Sequence, residues 1–166
     1  MRIIFYLIML FLSMVQVSMN CQQQADRGAA SFPADFRIEA LAGGLHPWEE
    51  NRYVLITAEG HGKFERSIPG KIGAPPVEEI AFTLQRTDLV ELWKAIVEND
   101  FFSLAPEYKN ENVTGGWFAS LTITAAGKTQ QVTVENFDLP GFAHIIRKLN
   151  NFTPTDKDLI IDGGEL

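Results

Sequence analysis

Twice along this chain, two alternating segments joined by a tight turn lead into a stretch whose apolar residues recur at three- and four-residue spacing. In the first instance residues 53–58 (Tyr-Val-Leu-Ile-Thr-Ala) read as a strand, Glu59-Gly60-His61-Gly62 as a turn, and residues 63–68 as the returning strand. In the second, residues 118–124 alternate, 125–128 turn, and 129–135 return with Val132 and Val134 on one face. The helix after the first hairpin is announced by Thr87 and Asp88, with Glu91 placed where a negative charge suits the helix dipole. Leu89, Leu92, Trp93, Ile96 and Val97 form its stripe, and Asn99-Asp100 end it. The second helix opens at Asp138 with Pro140 just inside, buries Phe142, Ile145, Ile146 and Leu149, and stops at Asn150-Asn151. Aromatic residues follow both, Phe101-Phe102 and Phe152, which predicts that the chain re-enters the core after each helix.

Two more strands are expected, at 36–41 and at 77–84. In the latter Ile80, Phe82 and Leu84 face one way and Glu79, Ala81 and Thr83 the other. The Gly/Pro-rich segment 69–76 between the first hairpin and this strand excludes helix. The predicted fold class is α+β: an antiparallel sheet of about six strands covered on one face by two helices, in the order β-β-β-β-α-β-β-α, with an approximate internal repeat.

The run Leu92-Trp93-Lys94-Ala95-Ile96-Val97-Glu98-Asn99-Asp100-Phe101-Phe102-Ser103-Leu104 and the later Leu121-Thr122-Ile123-Thr124-Ala125-Ala126-Gly127-Lys128 resemble a family of small bacterial exported proteins. In that family a strand pair and a helix ending in a Phe-Phe-x-Leu corner precede a Tyr and a Gly-Lys hairpin. The resemblance covers about residues 53–152 and rests on core and turn positions. It implies a fold and an exported habit, and brings no activity with it.

Export is also written at the N-terminus. Met1-Arg2 forms a basic start, residues 3–17 an apolar run, and Ser18-Met19-Asn20-Cys21 a cleavage region, the order of a bacterial export signal. A spanning helix needs about 20 apolar residues, and this run is shorter and interrupted by Ser13 and Gln16. Cys21 is the only cysteine of the chain. The region resembles a lipoprotein signal, with Ser18 where Leu is usual and Asn20 where Gly or Ala is usual, which implies that Cys21 carries the lipid. A cleaved secreted protein and an uncleaved anchor are the alternatives. The expected organisation is a signal over 1–20, a tether over 21–31, one α+β domain over 32–155 and an acidic tail over 156–166. Two or three acyl chains would hold the domain at a cell membrane or outer membrane, outside the cytoplasm, without a membrane-binding surface of its own.

The 145 residues after Cys21 are enough to bury a core without disulfides or metal. Their charge excludes some partners. The whole chain carries −7, loss of Arg2 with the signal makes it −8, and no Lys/Arg block interrupts the acidity. Nucleic acid and anionic headgroups, which demand cationic patches, are therefore not expected partners.

Catalytic motifs are missing from the sequence: it has no Gly-x-Ser-x-Gly, no Ser-x-x-Lys and no Gly-x-x-x-x-Gly-Lys. His46, His61 and His144 lack the close spacing of metal ligands, so no metal and no cofactor is expected. The tail acids Asp156, Asp158, Asp162 and Glu165 miss the EF-hand spacing. Two polar loops remain as candidates for ligand binding. His46-Pro47-Trp48-Glu49-Glu50 follows Gly43-Gly44, and Asn110–Trp117 follows Tyr108. Together they would frame a shallow groove bearing Trp48, Tyr108 and Trp117, suited to a saccharide or protein ligand; as core plugs the same aromatics would bind nothing. The function expected is that of a lipid-anchored cell-envelope protein with a binding or structural role and no catalysis. The alternatives are a secreted hydrolase using His46, Glu49 and Glu50, or a protein-interaction or inhibitor module.

Overall fold

The computed structural model describes residues 32–46, 49–68 and 75–154. The expected signal, Cys21, the tether, Trp48 and the acidic tail lie outside the described residues. The described chain is mixed α+β, with one sheet of seven strands, mostly antiparallel, and two helices. The strands are β1 (Arg37–Gly44), β2 (Asn51–Thr57), β3 (His61–Ser67), β4 (Glu78–Thr83), β5 (Glu107–Lys109), β6 (Trp117–Ala125) and β7 (Lys128–Glu135). The helices are α1 (Arg86–Glu98) and α2 (Pro140–Phe152). Across the sheet the strands run β4-β3-β2-β1-β6-β7-β5.

Alternation decides which side of the sheet is buried. Ile38 stands between Ile56 on one neighbour and Ile123 on the other, and Ala40 between Val54 and Leu121. All six are fully buried, as are Phe64, Val132 and Val134 on the same face. Each large aliphatic removed from water contributes about 1.5–3 kcal/mol. A register slip of one residue would turn this set to solvent, so the pattern fixes the pairing. Gly62 interrupts the apolar row, and the Phe82 ring of the edge strand lies where its Cβ would be. An aromatic from the next strand thus fills the place of the missing side chain.

Several expectations need correction. The sheet has a seventh strand, β5, which pairs parallel with β7. Three residues are too few for an alternation signal, and Tyr108, expected at the entrance of a loop, lies on this strand. β1 continues through Gly43 and Gly44, beyond the strand expected at 36–41, because Gly43 is paired on both sides and Gly44 with Trp117, which outweighs the poor strand preference of glycine. His61 opens β3 and is not a turn residue. The cap of α1 is Gln85, whose backbone N–H donates to the Asp88 carboxylate at 2.8 Å. Asp88 thus serves from inside the first turn as the reciprocal half of a capping box. Val97 is 49% exposed and Ala95 takes its place in the buried stripe, while Trp93 is half-buried. α2 begins at Pro140 after Leu139, two residues later than Asp138 suggests, and runs on to Phe152. Phe152 is therefore the last helical residue, and the Thr153 hydroxyl, donating to the Asn150 carbonyl at 3.0 Å, follows it.

The β6–β7 hairpin closes through Ala126 (φ 52°) and Gly127 (φ 73°), the left-handed pair of a two-residue type I′ turn. Alanine pays a steric penalty there, and a distant carboxylate offsets it. Asp35 accepts from the N–H of Ala126 and of Gly127, each at 2.7 Å. These bonds, Gly127 first, hold the Asp35 carboxyl below its ordinary value of 3.8. A folded-state value below the unfolded one means stability present above 3.8 and lost as pH falls through the folded value. Asp35→Asn keeps one acceptor and turns an amide toward the second N–H. It is expected to lower the melting temperature near neutral pH, with the gap to the parent protein closing in acid below that range; a gap independent of pH would contradict the carboxylate's role.

Candidate functional site

The face of the sheet opposite the buried one is reached by solvent and carries most of the polar chemistry of the domain. Arg37, Glu39 and Leu41 on β1 share it with Tyr53 and Leu55 on β2, Lys63 and Glu65 on β3, and Glu79 and Ala81 on β4. Phe118, Ser120, Thr122 and Thr124 on β6 and Gln131 and Thr133 on β7 complete it. Leu41 sits between Tyr53 and Ser120 by register and is 39% exposed.

Three clusters order these side chains. Glu39 accepts from Arg37 Nε at 2.8 Å and from the Tyr53 hydroxyl at 3.0 Å. Arg37 first, and then Tyr53, hold the Glu39 carboxyl below its usual range against the opposing effect of burial. Burial, with the Glu39 carboxylate second, pushes the Tyr53 hydroxyl up to about 12. Tyr53 therefore remains a neutral hydrogen-bond donor at every physiological pH. Further along, Lys63 pairs with Glu65 and, at 3.6 Å, with Glu79. On the other side Ser120 Oγ accepts from Gln131 Nε2 at 3.1 Å and from Thr133 Oγ1 at 3.2 Å. Exposed ion pairs contribute about 0–1 kcal/mol each, so their main effect is to hold long side chains in fixed orientations. The result is a surface of hydroxyl, amide and paired charged groups around aliphatic and aromatic carbon, with charges of both signs.

One end of the sheet gathers the two loops singled out in the sequence. The Leu45 N–H donates to the Gly116 carbonyl at 2.7 Å, joining the loop after β1 to the loop before β6. Asn136, held at φ 48° just after β7, accepts from the Trp117 N–H at 2.9 Å and donates to the Gly115 carbonyl at 2.7 Å. A side chain at Gly116, where φ is 95°, would collide with the Asn136 amide, so glycine is required there. Sequence reasoning missed Asn136; its left-handed backbone and amide act on residues 19 and 21 positions away.

Of the three aromatics expected to line a groove, Trp48 lies outside the described residues, and the other two take different positions. Trp117 is half-buried on β6, paired with Gly44. Tyr108 lies on the far strand β5, with β7 between the two strands. Its ring packs on Phe137 at 5.7 Å, and its hydroxyl accepts from the Ala105 N–H at 3.0 Å. Tyr108 is thus engaged with its own chain. Of the acid/base set expected for a hydrolase, His46 and Glu49 are exposed and Glu50 pairs with Arg66 at 2.5 Å. Arg66 holds Glu78 as well, at 2.8 Å, and so ties β3 and β4 to the residue before β2. Among the described residues no group of three or more His, Cys, Asp or Glu could hold a metal ion, and no helix is long and apolar enough to cross a membrane. In comparison with known proteins, the chain matches no family model and no curated protein.

Proposed function

We propose that this chain is a lipid-anchored cell-envelope protein, held through Cys21, whose α+β domain has a binding or structural role without catalysis. The observation that carries the reading is the sequence order of basic start, apolar run and Cys21, followed by an acidic domain without a catalytic motif. The likeness to small bacterial exported proteins points the same way. A protein or saccharide ligand fits the solvent-reached face of the sheet, where Tyr53, Thr122 and Gln131 present donors and acceptors beside Leu41 and Phe118. Two acyl chains or more anchor stably, so this face is left free to bind.

The finer architecture belongs to the same reading. Both helices pack over the buried sheet face: the Phe36 ring, just before β1, meets Trp93 of α1 edge-on at 6.1 Å, and Lys148 of α2 reaches Glu91 of α1 at 3.4 Å. The approximate repeat is supported by two hairpins, β2–β3 and β6–β7, which precede helices of 13 residues each.

Cys21→Ser is expected to abolish palmitate labelling and release the protein from the membrane fraction. A parent protein that takes up no palmitate and migrates with its leader attached would refute the anchor, and a variant that still sediments with membranes would assign the attachment to an uncleaved leader.

A further inference from the structure

Among the described residues the sheet ends on one side in β5, three residues long with Glu107 and Lys109 flanking Tyr108, and on the other in β4, six residues long. A short charged strand is a protected edge, whereas a longer one with an apolar centre is a template for another strand. β4 has that centre: Ile80 and Phe82 are only half-buried, and Val77 just before it is 51% exposed. The phase of its hydrogen bonds is fixed by the bond from the Leu84 N–H to the Gly60 carbonyl, 2.9 Å, in continuation of the pairing of Thr83 with His61. In an antiparallel ladder alternate residues exchange bonds with one neighbour. The even-numbered residues of β4 are therefore turned to β3, and Glu79, Ala81 and Thr83 direct their N–H and C=O groups outward.

We propose that β4 pairs with β4 of a second copy of this chain, antiparallel, about a two-fold axis through Ala81. In this register Ala81 faces Ala81 and Glu79 faces Thr83 of the other copy, giving roughly six interchain backbone bonds. Ile80 then lies opposite Phe82 of the other copy, twice, in the close non-hydrogen-bonded positions where side chains meet best. The two half-buried side chains cover each other on the face where the core already lies. Charge agrees with this axis. No glutamate faces a glutamate, and both acids of the strand are engaged by cations of their own chain, Glu78 by Arg66 and Glu79 by Lys63. An axis moved to residue 79 would set two carboxylates face to face. The interface is self-complementary, as a two-fold contact must be, and it stands independently of the lipid at Cys21.

Ala81→Cys tests the register. Directly opposed hydrogen-bonded residues have Cα atoms about 5.5 Å apart, within the range of about 4.4–6.8 Å that a disulfide spans. The full chain, purified in detergent and mildly oxidised, is expected to give a reducible dimer with Ala81→Cys and none with Thr122→Cys, which lies in mid-sheet. Two further variants test the edge itself. Ala81→Pro removes an outward N–H while sparing the bonds to β3, and Ala81→Lys sets two ammonium groups against each other across the axis. Both are expected to shift the mass measured by light scattering from dimer to monomer, with the far-ultraviolet circular dichroism of Ala81→Lys unchanged. A monomeric parent protein, or equal cross-linking at Ala81 and Thr122, would overturn the proposal and leave the edge to a foreign strand.

Discussion

Phe101→Ala is expected to destabilise the domain by about 3–5 kcal/mol, the cost of removing a large aromatic from a core that cannot close around the gap. Phe101 is fully buried, and the chain that delivers it is locked. Asp100 takes a left-handed conformation (φ 49°) just past Asn99, the C-cap of α1, with its N–H donating to the Val97 carbonyl at 3.1 Å. The single 3₁₀ turn Phe101–Ser103 follows, its Ser103 hydroxyl donating to the Asp100 carboxylate at 3.0 Å. Phe102 meets Phe101 edge-on at 5.8 Å but is only half-buried. Its truncation should therefore cost clearly less. Urea unfolding would show a lower midpoint with an unchanged slope for both variants, and equal losses for Phe101→Ala and Phe102→Ala would refute the difference in packing.

Trp93→Ala should cost about 3 kcal/mol, the lower end for a large aromatic because the residue is half-buried. The ring stands between Phe36 and Phe102, with centroid separations of 6.1 and 6.4 Å and steep edge-on angles. Its indole Nε1 is buried without a hydrogen-bond partner among the described residues. An unmet donor costs about 1–3 kcal/mol, so part of what the ring contributes is lost to desolvation. Trp93→Phe should consequently cost less than about 1 kcal/mol, since the orphan N–H leaves together with some of the contact area. Glu91→Ala, whose exposed carboxylate reaches Lys148 at 3.4 Å, should change stability by less than about 0.5 kcal/mol. Thermal unfolding of the three variants would test the order, and a Phe variant as damaged as the Ala variant would show that the indole nitrogen is satisfied in solution.

What the sequence disclosed was local. The alternation of Ile80 and Phe82 against Glu79 and Ala81, the spacing of Phe142, Ile145, Ile146 and Leu149, and the turn around Gly127 each arise within a few residues, and each is found in the structure. What it hid depends on partners far away in the chain. Gly43 and Gly44 are strand residues because Asn51, Phe118 and Trp117 lie beside them. β5 exists because β7 offers an edge, and Asp35 caps a turn some ninety residues distant. The candidate site divides in the same way. Its aromatic residues could be picked out by type, but Tyr108 is engaged by Ala105 and Phe137, and nothing in residue type foretold the ordered clusters around Glu39 and Ser120.

The chain enters the domain at the middle strand, for β1 is flanked along its length by β2 and β6. A pull applied ahead of residue 37 cannot peel a border strand bond by bond. It has to shear two ladders together, with the Asp35 clasp on the far hairpin taking up the strain first, so the fold meets mechanical load from its N-terminal side at its most resistant point.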